Sequence, residues 1–355
     1  MFLSPDAYDN IKERFITITQ KKKNIKMNMK DQISKNRSFL MGLAILWVVL
    51  YHLPTQCEIP IIGYIKNIGY GGVDIFVFLS GFGAFHSLTK NNDAFDFFKR
   101  RLKRLLPSYI VFIVVWMILH KIMVRLYFTE ICGNLTMSGW WADTPNQFNW
   151  YVDCIILFYL LAPYIFAAIT RAKKQILCAI LLIVLSFVIG IGFMHSQQLI
   201  AISRLPLFIL GFAVAQIKCP LTEGKVSLII WNIAMIVGFA LLYFFKNQSM
   251  IDNWHYGTYW FPFFIIIPGL VFDLALLGSV LTKAGVLSVI VHFCEALGKA
   301  SFEIYLWHLL IFETLLANIE LSVPLSICAF AGSLLLGYIF YLLYNRFMRR
   351  FEKTA

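Results

Sequence analysis

The chain has 355 residues, of which 59% are hydrophobic and 14% are charged, and its mean hydropathy is +0.73. Soluble domains average about a quarter charged residues and under half apolar residues, so this composition excludes a soluble globular protein. The sequence instead predicts an integral membrane protein with a single membrane domain, and the net charge of +12 has to be explained within that class.

Ten apolar segments follow one another along the chain. Each is close to the length of about 20 residues that a helix needs to cross a bilayer. Their apolar residues do not alternate with polar ones, so helices are expected rather than the strands of a closed barrel. The predicted fold class is an all-α polytopic membrane protein with about ten transmembrane helices. The predicted spans lie near residues 38–54, 71–89, 106–128, 149–170, 175–194, 199–217, 226–245, 259–281, 298–319 and 322–345.

Lysine and arginine are distributed unevenly between the two ends of these spans. With the N-terminus in the cytoplasm, 26 of the 31 basic residues lie on the cytoplasmic side, as the positive-inside rule requires. We therefore expect a cell-membrane protein with both termini cytoplasmic: a basic N-terminal segment at 1–37, a membrane domain at 38–345 and a basic tail at 346–355. This topology explains most of the net charge, and nothing else in the sequence supports a nucleic-acid partner. Residues 1–37 lack the apolar core of a signal peptide, and a translation start at Met27 or Met29 stays open.

The first two spans carry ionisable residues at their outer ends. His52 closes the first span, where a histidine can exchange a proton near neutral pH or simply anchor the helix end at the interface. Asp74 lies one turn into the second span, behind Gly71 and Gly72, and we expect it to pair with His52. Ser80 lies halfway along the second span. The Ser-Gly pair there is either a packing seam or a notch through which a substrate could pass.

A dense basic run precedes the third span. Arg100, Arg101 and Arg104 lie just before Pro107, which begins that span. Helical spacing puts Arg104 on one face with Arg100 and also with Arg101. Such a run anchors the cytoplasmic end of a helix against anionic lipid, but neighbouring guanidinium groups also suit a polyphosphate. A cytosolic nucleotide-bearing donor, such as a coenzyme A thioester, fits this second interpretation.

Two later spans carry further polar residues. Arg204 opens the sixth span on the outer side, where it either extends to the interface or faces a substrate or a developing negative charge. Ser301, Tyr305 and His308 are spaced four and three residues apart in the ninth span, so they fall on one helix face. Three polar groups on one face of a span indicate a polar cavity within the membrane domain.

Six short motifs in this chain, taken in order, resemble those of the integral-membrane acyltransferase family known as acyltransferase type 3. No single motif is decisive, whereas six in the same order are specific, and the resemblance covers roughly residues 36–350. The motifs are VVLYH at 48–52, GGVDIFVFLSGF at 71–82, RRLKRLLP at 100–107, WYVDCIILFYLLAP at 150–163, RLPLFILGF at 204–212 and SFEIYLWH at 301–308.

The resemblance implies ten membrane helices and transfer of an acyl group, often acetyl, from cytosolic acyl-coenzyme A to a hydroxyl of a glycan or lipid-linked sugar. It implies that His52 is the catalytic candidate and that Arg100, Arg101 and Arg104 bind the donor. Acyl-coenzyme A is then a co-substrate, and no permanently bound cofactor is expected. No metal site is predicted, because the seven cysteines lack paired spacing of the C-x-x-C kind.

The chain departs from the family pattern in its first span. Many members carry an arginine eleven residues before the histidine, and this chain has Met41 at that position. Arg37 lies one helical turn further inward, within about 40° of the Met41 direction. Whether Arg37 substitutes for the missing arginine is open at this point.

The sequence therefore predicts a membrane O-acyltransferase in which the donor reaches from the basic run past Ser80 and His308. His52 then acts as the general base on the acceptor hydroxyl or carries the acyl group itself. The alternative is a non-enzymatic membrane carrier of a glycan or small anion. Membrane lipids and a glycan or lipid-linked sugar are the expected partners, and an oligomer is compatible with the sequence. The remaining predicted site residues are Asp74 beside His52, and Arg204, Ser301 and Tyr305 along the substrate path.

Overall fold

A computed structural model describes residues 28–55, 59–123, 127–144, 149–248, 252–283, 285–316, 319 and 321–354. The first 27 residues of the predicted N-terminal segment lie outside the described residues. Within the described ranges the chain forms helices and no β-strand, apart from one isolated bridge between Asn28 and Glu223. The predicted all-α class is therefore confirmed for this part of the chain.

The α-helices of the described part are, in chain order, α1 (Met29–His52), α2 (Pro60–Asn67), α3 (Gly71–Lys90), α4 (Ala94–Met123), α5 (Phe128–Thr136), α6 (Trp150–Arg171), α7 (Gln175–Gly192), α8 (Leu199–Ile202), α9 (Leu205–Gln216), α10 (Gly224–Lys246), α11 (Phe263–Leu281), α12 (Ser288–Lys299), α13 (Ser301–Leu309) and α14 (Val323–Thr354). A 3₁₀ turn at Gly285–Leu287 precedes α12. A π-helical turn at Leu310–Leu315 continues α13.

Nine helices in the described ranges are long and apolar enough to cross a membrane, and a bent pair adds a tenth span if it is counted as one. The pair joins Gly285–Lys299 to Ser301–Leu315 at an angle of 69°. The prediction of about ten spans is compatible with this range. In place of the span predicted near 298–319, the structure has the second helix of the bent pair, Ser301–Leu315. The break lies beside Gly298, which is held so close to α1 that an added Cβ would meet the Ser38 carbonyl oxygen at 1.9 Å.

The first and last helices extend beyond the predicted spans. α1 begins at Met29, because the Asn28 side chain caps it by accepting a hydrogen bond from the Asp31 backbone N–H at 3.4 Å. α14 continues to Thr354, so the basic residues after position 345 lie on the same helix as the last span. Within the described residues, the basic side chains before position 38 and after position 345 are therefore carried by helices that continue beyond the predicted spans.

The long helices divide into a buried centre and an outer layer. The most apolar windows of α3 and of the span formed by α8 and α9 are each 83% buried, whereas those of α7, α10 and α14 are 17%, 11% and 22% buried. The exposed side chains of the outer helices are mostly isoleucine, leucine and valine. Helices that are apolar on their exposed faces are typical of membrane spans, so this outer layer is the surface that lipid contacts.

α3 and α9 cross with their backbones in contact. A Cβ added to Gly81 would lie 2.0 Å from the Phe208 carbonyl oxygen, and one added to Gly211 would lie 2.2 Å from the Phe78 carbonyl oxygen. Small residues at such crossings let helix backbones approach closely. Gly81 is therefore part of a packing seam, and the predicted notch at this residue is filled by the backbone of α9.

We expect Gly81→Ala to destabilise the protein by about 1–3 kcal/mol or more, because the new methyl group has to displace the α9 backbone. Gly332→Ala is the matched control, since no atom lies within 4 Å of a Cβ built at that position. Thermal unfolding of the purified variants in detergent measures the difference. Equal melting temperatures for the two variants would contradict the close crossing of α3 and α9.

Candidate active site

Two histidines from different helices meet at one end of the helix bundle. His52 is the last residue of α1, and His308 lies at the end of α13. His308 Nε2 is 3.4 Å from His52 Nδ1, and the two ring centroids are 5.0 Å apart. His308 is fully buried, whereas His52 is partly exposed, so His52 is the member of the pair that a substrate can reach. Among the described residues no group of three or more His, Cys, Asp or Glu side chains has the arrangement of a metal site.

Backbone carbonyl groups decide which ring nitrogen carries the hydrogen in each histidine. His52 Nδ1 is 3.0 Å from the Val48 carbonyl oxygen, and His308 Nδ1 is 3.1 Å from that of Ile304. A carbonyl oxygen only accepts, so both neutral rings carry their hydrogen on Nδ1. His52 has a single Nδ1–H, so His308 Nε2 accepts the longer branch of a three-centre hydrogen bond that this hydrogen also makes to the Val48 carbonyl oxygen. The lone pair of His52 is left on Nε2, to which no described residue donates, and this atom can act as a base.

A cavity of about 320 Å³ lies on the other side of Tyr305 from the histidines, and we call it the arginine cavity. Five of the predicted site residues line it: Ser80, Arg101, Arg104, Ser301 and Tyr305. Further polar residues in its wall are Arg37, Ser38, Tyr151, Tyr159, Lys299 and Tyr341. These residues were predicted as site residues from separate segments of the sequence. In the folded protein they line the same cavity.

The guanidinium groups of Arg101 and Arg104 are held by neutral partners. Arg101 Nη2 donates to the Gly83 carbonyl oxygen at 3.3 Å, and the group lies 5.1 Å from the Tyr159 ring centroid. Arg104 Nη2 donates to the Lys299 carbonyl oxygen at 3.2 Å. These contacts orient the two side chains without neutralising their charge, and they leave other N–H groups of each fork for a ligand.

Arg37 supplies a third guanidinium group to the arginine cavity. Its Nε is buried without a hydrogen-bond partner in the described part of the chain, and its Nη2 lies against Gly83, where an added Cβ would be 3.2 Å away. Met41 lines the same cavity one turn further along α1. Arg37 is thus placed to provide the positive charge that residue 41 does not provide.

The arginine cavity is strongly cationic. Across the described ranges, none of Arg37, Arg101 and Arg104 forms an ion pair with a carboxylate. Arg37 and Arg101 also line a second cavity of about 460 Å³ that reaches His86 and Lys90 at the end of α3. Uncompensated guanidinium groups around a cavity are suited to a bound anion, and forked N–H groups match phosphate oxygens well.

Arg100 is an exception among the basic residues predicted to bind the donor. It is exposed and does not line the arginine cavity. Consecutive helical residues point about 100° apart, so Arg100 cannot share the direction of Arg101. The contribution of this run to the cavity therefore comes from Arg101 and Arg104.

Tyr305 connects the arginine cavity with the histidine pair. It lines the cavity, and its ring centroid is 5.5 Å from that of His308. Tyr151 packs against it with ring centroids 5.0 Å apart. Ser301, Tyr305 and His308 thus follow one face of α13 as their spacing predicted. Neither histidine lines the cavity, so Tyr305 is the wall residue through which the cavity contacts His308.

α6 also contributes to this cavity, through residues that the sequence did not single out. Tyr151, Ile155 and Tyr159 all line it from that helix. Their spacing of four residues places them on one helix face. The available signal was the pair of tyrosines eight residues apart, about two helical turns, to which the periodicity argument used for Ser301 and Tyr305 also applies.

Asp74 and Arg204 form a buried ion pair at the end of the bundle that carries His52. Arg204 Nε is 3.3 Å from Asp74 Oδ1, and Arg204 Nη2 is 3.4 Å from Oδ2. The guanidinium group lies between the rings of Trp150 and Trp260, 5.0 and 5.2 Å from their centroids. Both charged side chains are almost completely buried, so the pair joins α3 to the start of α9 inside the protein.

These contacts correct two predictions. Asp74 does not pair with His52 in the described structure, because Arg204 occupies its carboxylate. Arg204 neither extends to the interface nor lines the arginine cavity, because Asp74 and two tryptophan rings enclose it. A lone arginine on the outer side of the spans and a lone aspartate at a similar depth were the sequence signal for their pairing.

Comparison with known proteins relates the chain to one family and to several curated proteins. The family model Acyl_transf_3, described as an acyltransferase domain, matches residues 39–342. The chain is similar to the O-acetyltransferase OatA of Staphylococcus aureus strain NCTC 8325 / PS 47, with 27% identity in an alignment of length 312 that covers 76% of this chain and 49% of the relative. It is also similar to the regulator of hypoxia-inducible factor 1 of Caenorhabditis elegans, with 27% identity in an alignment of length 214 that covers 48% of this chain and 43% of the relative.

The chain spans about half the length of the curated relatives that it matches. No solved structure matches it significantly. The family match at residues 39–342 extends from α1 to α14.

Proposed function

Because the chain belongs to the Acyl_transf_3 family of acyltransferase domains, we propose that it is a membrane O-acyltransferase. The donor is a cytosolic acyl-coenzyme A, and the acceptor is a hydroxyl of a surface glycan or lipid-linked sugar. We take the acyl group to be acetyl, because the similar protein of S. aureus is named an O-acetyltransferase. The observation that carries the proposal is the arginine cavity, whose wall residue Tyr305 contacts the histidine pair.

We place the arginine cavity towards the cytoplasm and the histidine pair towards the outer side of the cell membrane. This orientation follows the excess of lysine and arginine around the cavity. Arg37 and His52 are fifteen residues apart on α1, which corresponds to about 22 Å of helix. The anion-binding groups and the base are therefore at different depths, and an elongated donor is needed to serve both.

The donor binds with its diphosphate against the guanidinium groups of Arg37, Arg101 and Arg104. Its pantetheine arm occupies the arginine cavity beside Ser80 and Ser301, which offer hydroxyl groups to the amides of the arm. The thioester end reaches the histidine pair past Tyr305. The donor is a linear molecule with charged phosphates at one end and a reactive thioester at the other. It therefore matches an order in which arginines come first, then the serines and Tyr305, and then the histidine pair.

His52 then acts as the general base. Its Nε2 removes the proton of the acceptor hydroxyl while the oxygen attacks the thioester carbonyl carbon. The carbon–sulfur bond breaks, the acyl group stays on the acceptor oxygen as an ester, and the leaving thiolate receives the proton from His52. While His52 is positively charged, the hydrogen bonds from its Nδ1–H to the Val48 carbonyl oxygen and to His308 Nε2 stabilise it.

Purified protein in detergent, supplied with acetyl-coenzyme A labelled in its acetyl group, tests this proposal. We expect the label to move to an added glycan acceptor, or the thioester to be hydrolysed slowly when no acceptor is present. The alternative, a non-enzymatic carrier of a glycan or small anion, would give neither transfer nor hydrolysis.

We expect Arg101→Ala and Arg104→Ala each to weaken coenzyme A binding about tenfold to a hundredfold, because each removes charge-assisted hydrogen bonds to phosphate. Arg100→Ala is the matched control, since it removes an equal charge from the same helix outside the cavity. Isothermal titration of the detergent-purified variants measures the dissociation constants. An Arg100→Ala variant that binds as weakly as the other two would contradict the assignment of the donor to this cavity.

A further inference from the structure

The C-terminal end of α14 carries a cavity of about 360 Å³ that the proposed mechanism does not use. Its lining consists of Tyr341, Leu342, Asn345, Arg346, Arg349 and Arg350, and it contains no acidic side chain. Arg346 and Arg349 are exposed and lie three residues apart, so they share a helix face. A pair of arginines on one face of an exposed helix end can grip a phosphate group from two sides.

This α14 cavity adjoins the arginine cavity. Tyr341 lines both of them. The Tyr344 hydroxyl donates a hydrogen bond to the Lys103 carbonyl oxygen at 3.4 Å, which holds α14 beside the basic run of α4. Arg349 lies eight residues beyond Tyr341, about 12 Å along the helix. A ligand that leaves the arginine cavity past Tyr341 therefore meets Arg346 and Arg349 next.

Two cationic sites separated in this way fit a molecule that carries two separate phosphate groups. Coenzyme A has a diphosphate beside its pantetheine arm and a phosphate monoester on the 3′ position of its ribose. The monoester has a greater charge than a lipid phosphodiester, and two guanidinium groups suit it correspondingly better. We propose that Arg346 and Arg349 bind the ribose 3′-phosphate of the donor, while the arginine cavity holds the diphosphate and the pantetheine arm.

This inference rests on the proposed function. It also states which of two neighbouring cavities holds the nucleotide end of the donor: the α14 cavity or the second cavity at the end of α3. The second cavity, at His86 and Lys90, is also cationic and also shares wall residues with the arginine cavity. Apart from Arg37 and Arg101, which it shares with the arginine cavity, it offers one lysine and one histidine. The α14 cavity offers arginines of its own, two of them on one helix face. The nucleotide end of the donor therefore lies along α14, and the cavity at the end of α3 does not hold the 3′-phosphate.

The experiment compares coenzyme A with 3′-dephospho-coenzyme A, by isothermal titration of the protein in phosphatidylcholine nanodiscs. We expect the parental protein to bind the dephospho compound about tenfold to a hundredfold more weakly, because it lacks the charged group that the arginines meet. In Arg346→Ala/Arg349→Ala this difference should disappear. The same variant should bind the dephospho compound as the parental protein does, which also reports that it is folded.

Lys90→Ala is the control for the second cavity, at the end of α3. In this variant the dissociation constants of the two compounds should still differ as they do in the parental protein. Disappearance of the difference in Lys90→Ala and not in the arginine variant would overturn the proposal. An unchanged difference in the arginine variant, together with weaker retention of phosphatidylglycerol in native mass spectra, would overturn it in favour of a lipid headgroup. Parental protein that binds neither compound would instead refute the proposed function itself.

Discussion

Replacement of His52 by alanine should lower the rate of acetyl transfer by about 10²- to 10⁴-fold, the usual contribution of a positioned general base. The expected loss follows from geometry. His52 Nε2 carries the lone pair, because Nδ1 is committed to the Val48 carbonyl oxygen and to His308. Initial rates with labelled acetyl-coenzyme A and a glycan acceptor measure the loss. Coenzyme A binding should not change, since His52 does not line the arginine cavity.

His308 acts through His52 and should therefore behave as a positioning residue. We expect His308→Ala to reduce the rate less than His52→Ala does, and the double variant to be no slower than His52→Ala alone, because residues that act as a unit are not additive. His308→Ala should also move the pH dependence of the rate, because the neighbour of the His52 ring changes.

His292→Ala is the control for this series, since the His292 side chain is 69% exposed and belongs to α12. It should keep the parental rate. A His52→Ala variant that transfers acetyl groups as fast as the parental protein would exclude the histidine mechanism, whatever the other variants do.

Loss of either partner of the Asp74–Arg204 pair should destabilise the protein by about 3–5 kcal/mol, because it leaves an uncompensated charge in the interior. Asp74→Ala and Arg204→Leu test this by thermal unfolding in detergent. The double variant should lose less stability than the sum of the two single losses, since neither charge is then left without a partner. Arg204→Lys should not restore full stability, because lysine cannot reproduce the forked contact or the stacking between Trp150 and Trp260.

Asp252→Asn is the control, because it breaks an exposed pair with His255 whose side chains are about half accessible. Exposed pairs contribute at most about 1 kcal/mol, so the melting temperature should hardly change. If Asp74 served His52 instead of Arg204, Asp74→Asn would lower the transfer rate and leave the melting temperature unchanged. That result would contradict the ion pair as the main role of Asp74.

The all-helical membrane fold could be predicted because each span is a long apolar run that has to satisfy its backbone within the segment. The grouping of Ser301, Tyr305 and His308 could be predicted because helical periodicity is a local property. By the same periodicity, Tyr151 and Tyr159 could have been predicted to share one face of α6.

Features that depend on which helices are neighbours could not be predicted. Asp74 and Arg204 are 130 positions apart, and their meeting depends on the backbone contact of α3 with α9 at Gly81. The break between α12 and α13 lies where Gly298 packs against α1. The exclusion of Arg100 from the cavity depends on the rotation of α4 about its axis, which a spacing argument leaves free.

The contact between the Tyr151 and Tyr305 rings also bears on the electrical insulation of the membrane. A protein that hands a chemical group from one face of a bilayer to the other has to do so without opening a leak for ions or protons. The Tyr151 and Tyr305 rings are 5.0 Å apart in the wall of the arginine cavity, and Tyr305 also contacts His308. In the proposed reaction the acyl group would pass these rings, and their closure behind it would preserve the voltage across the membrane.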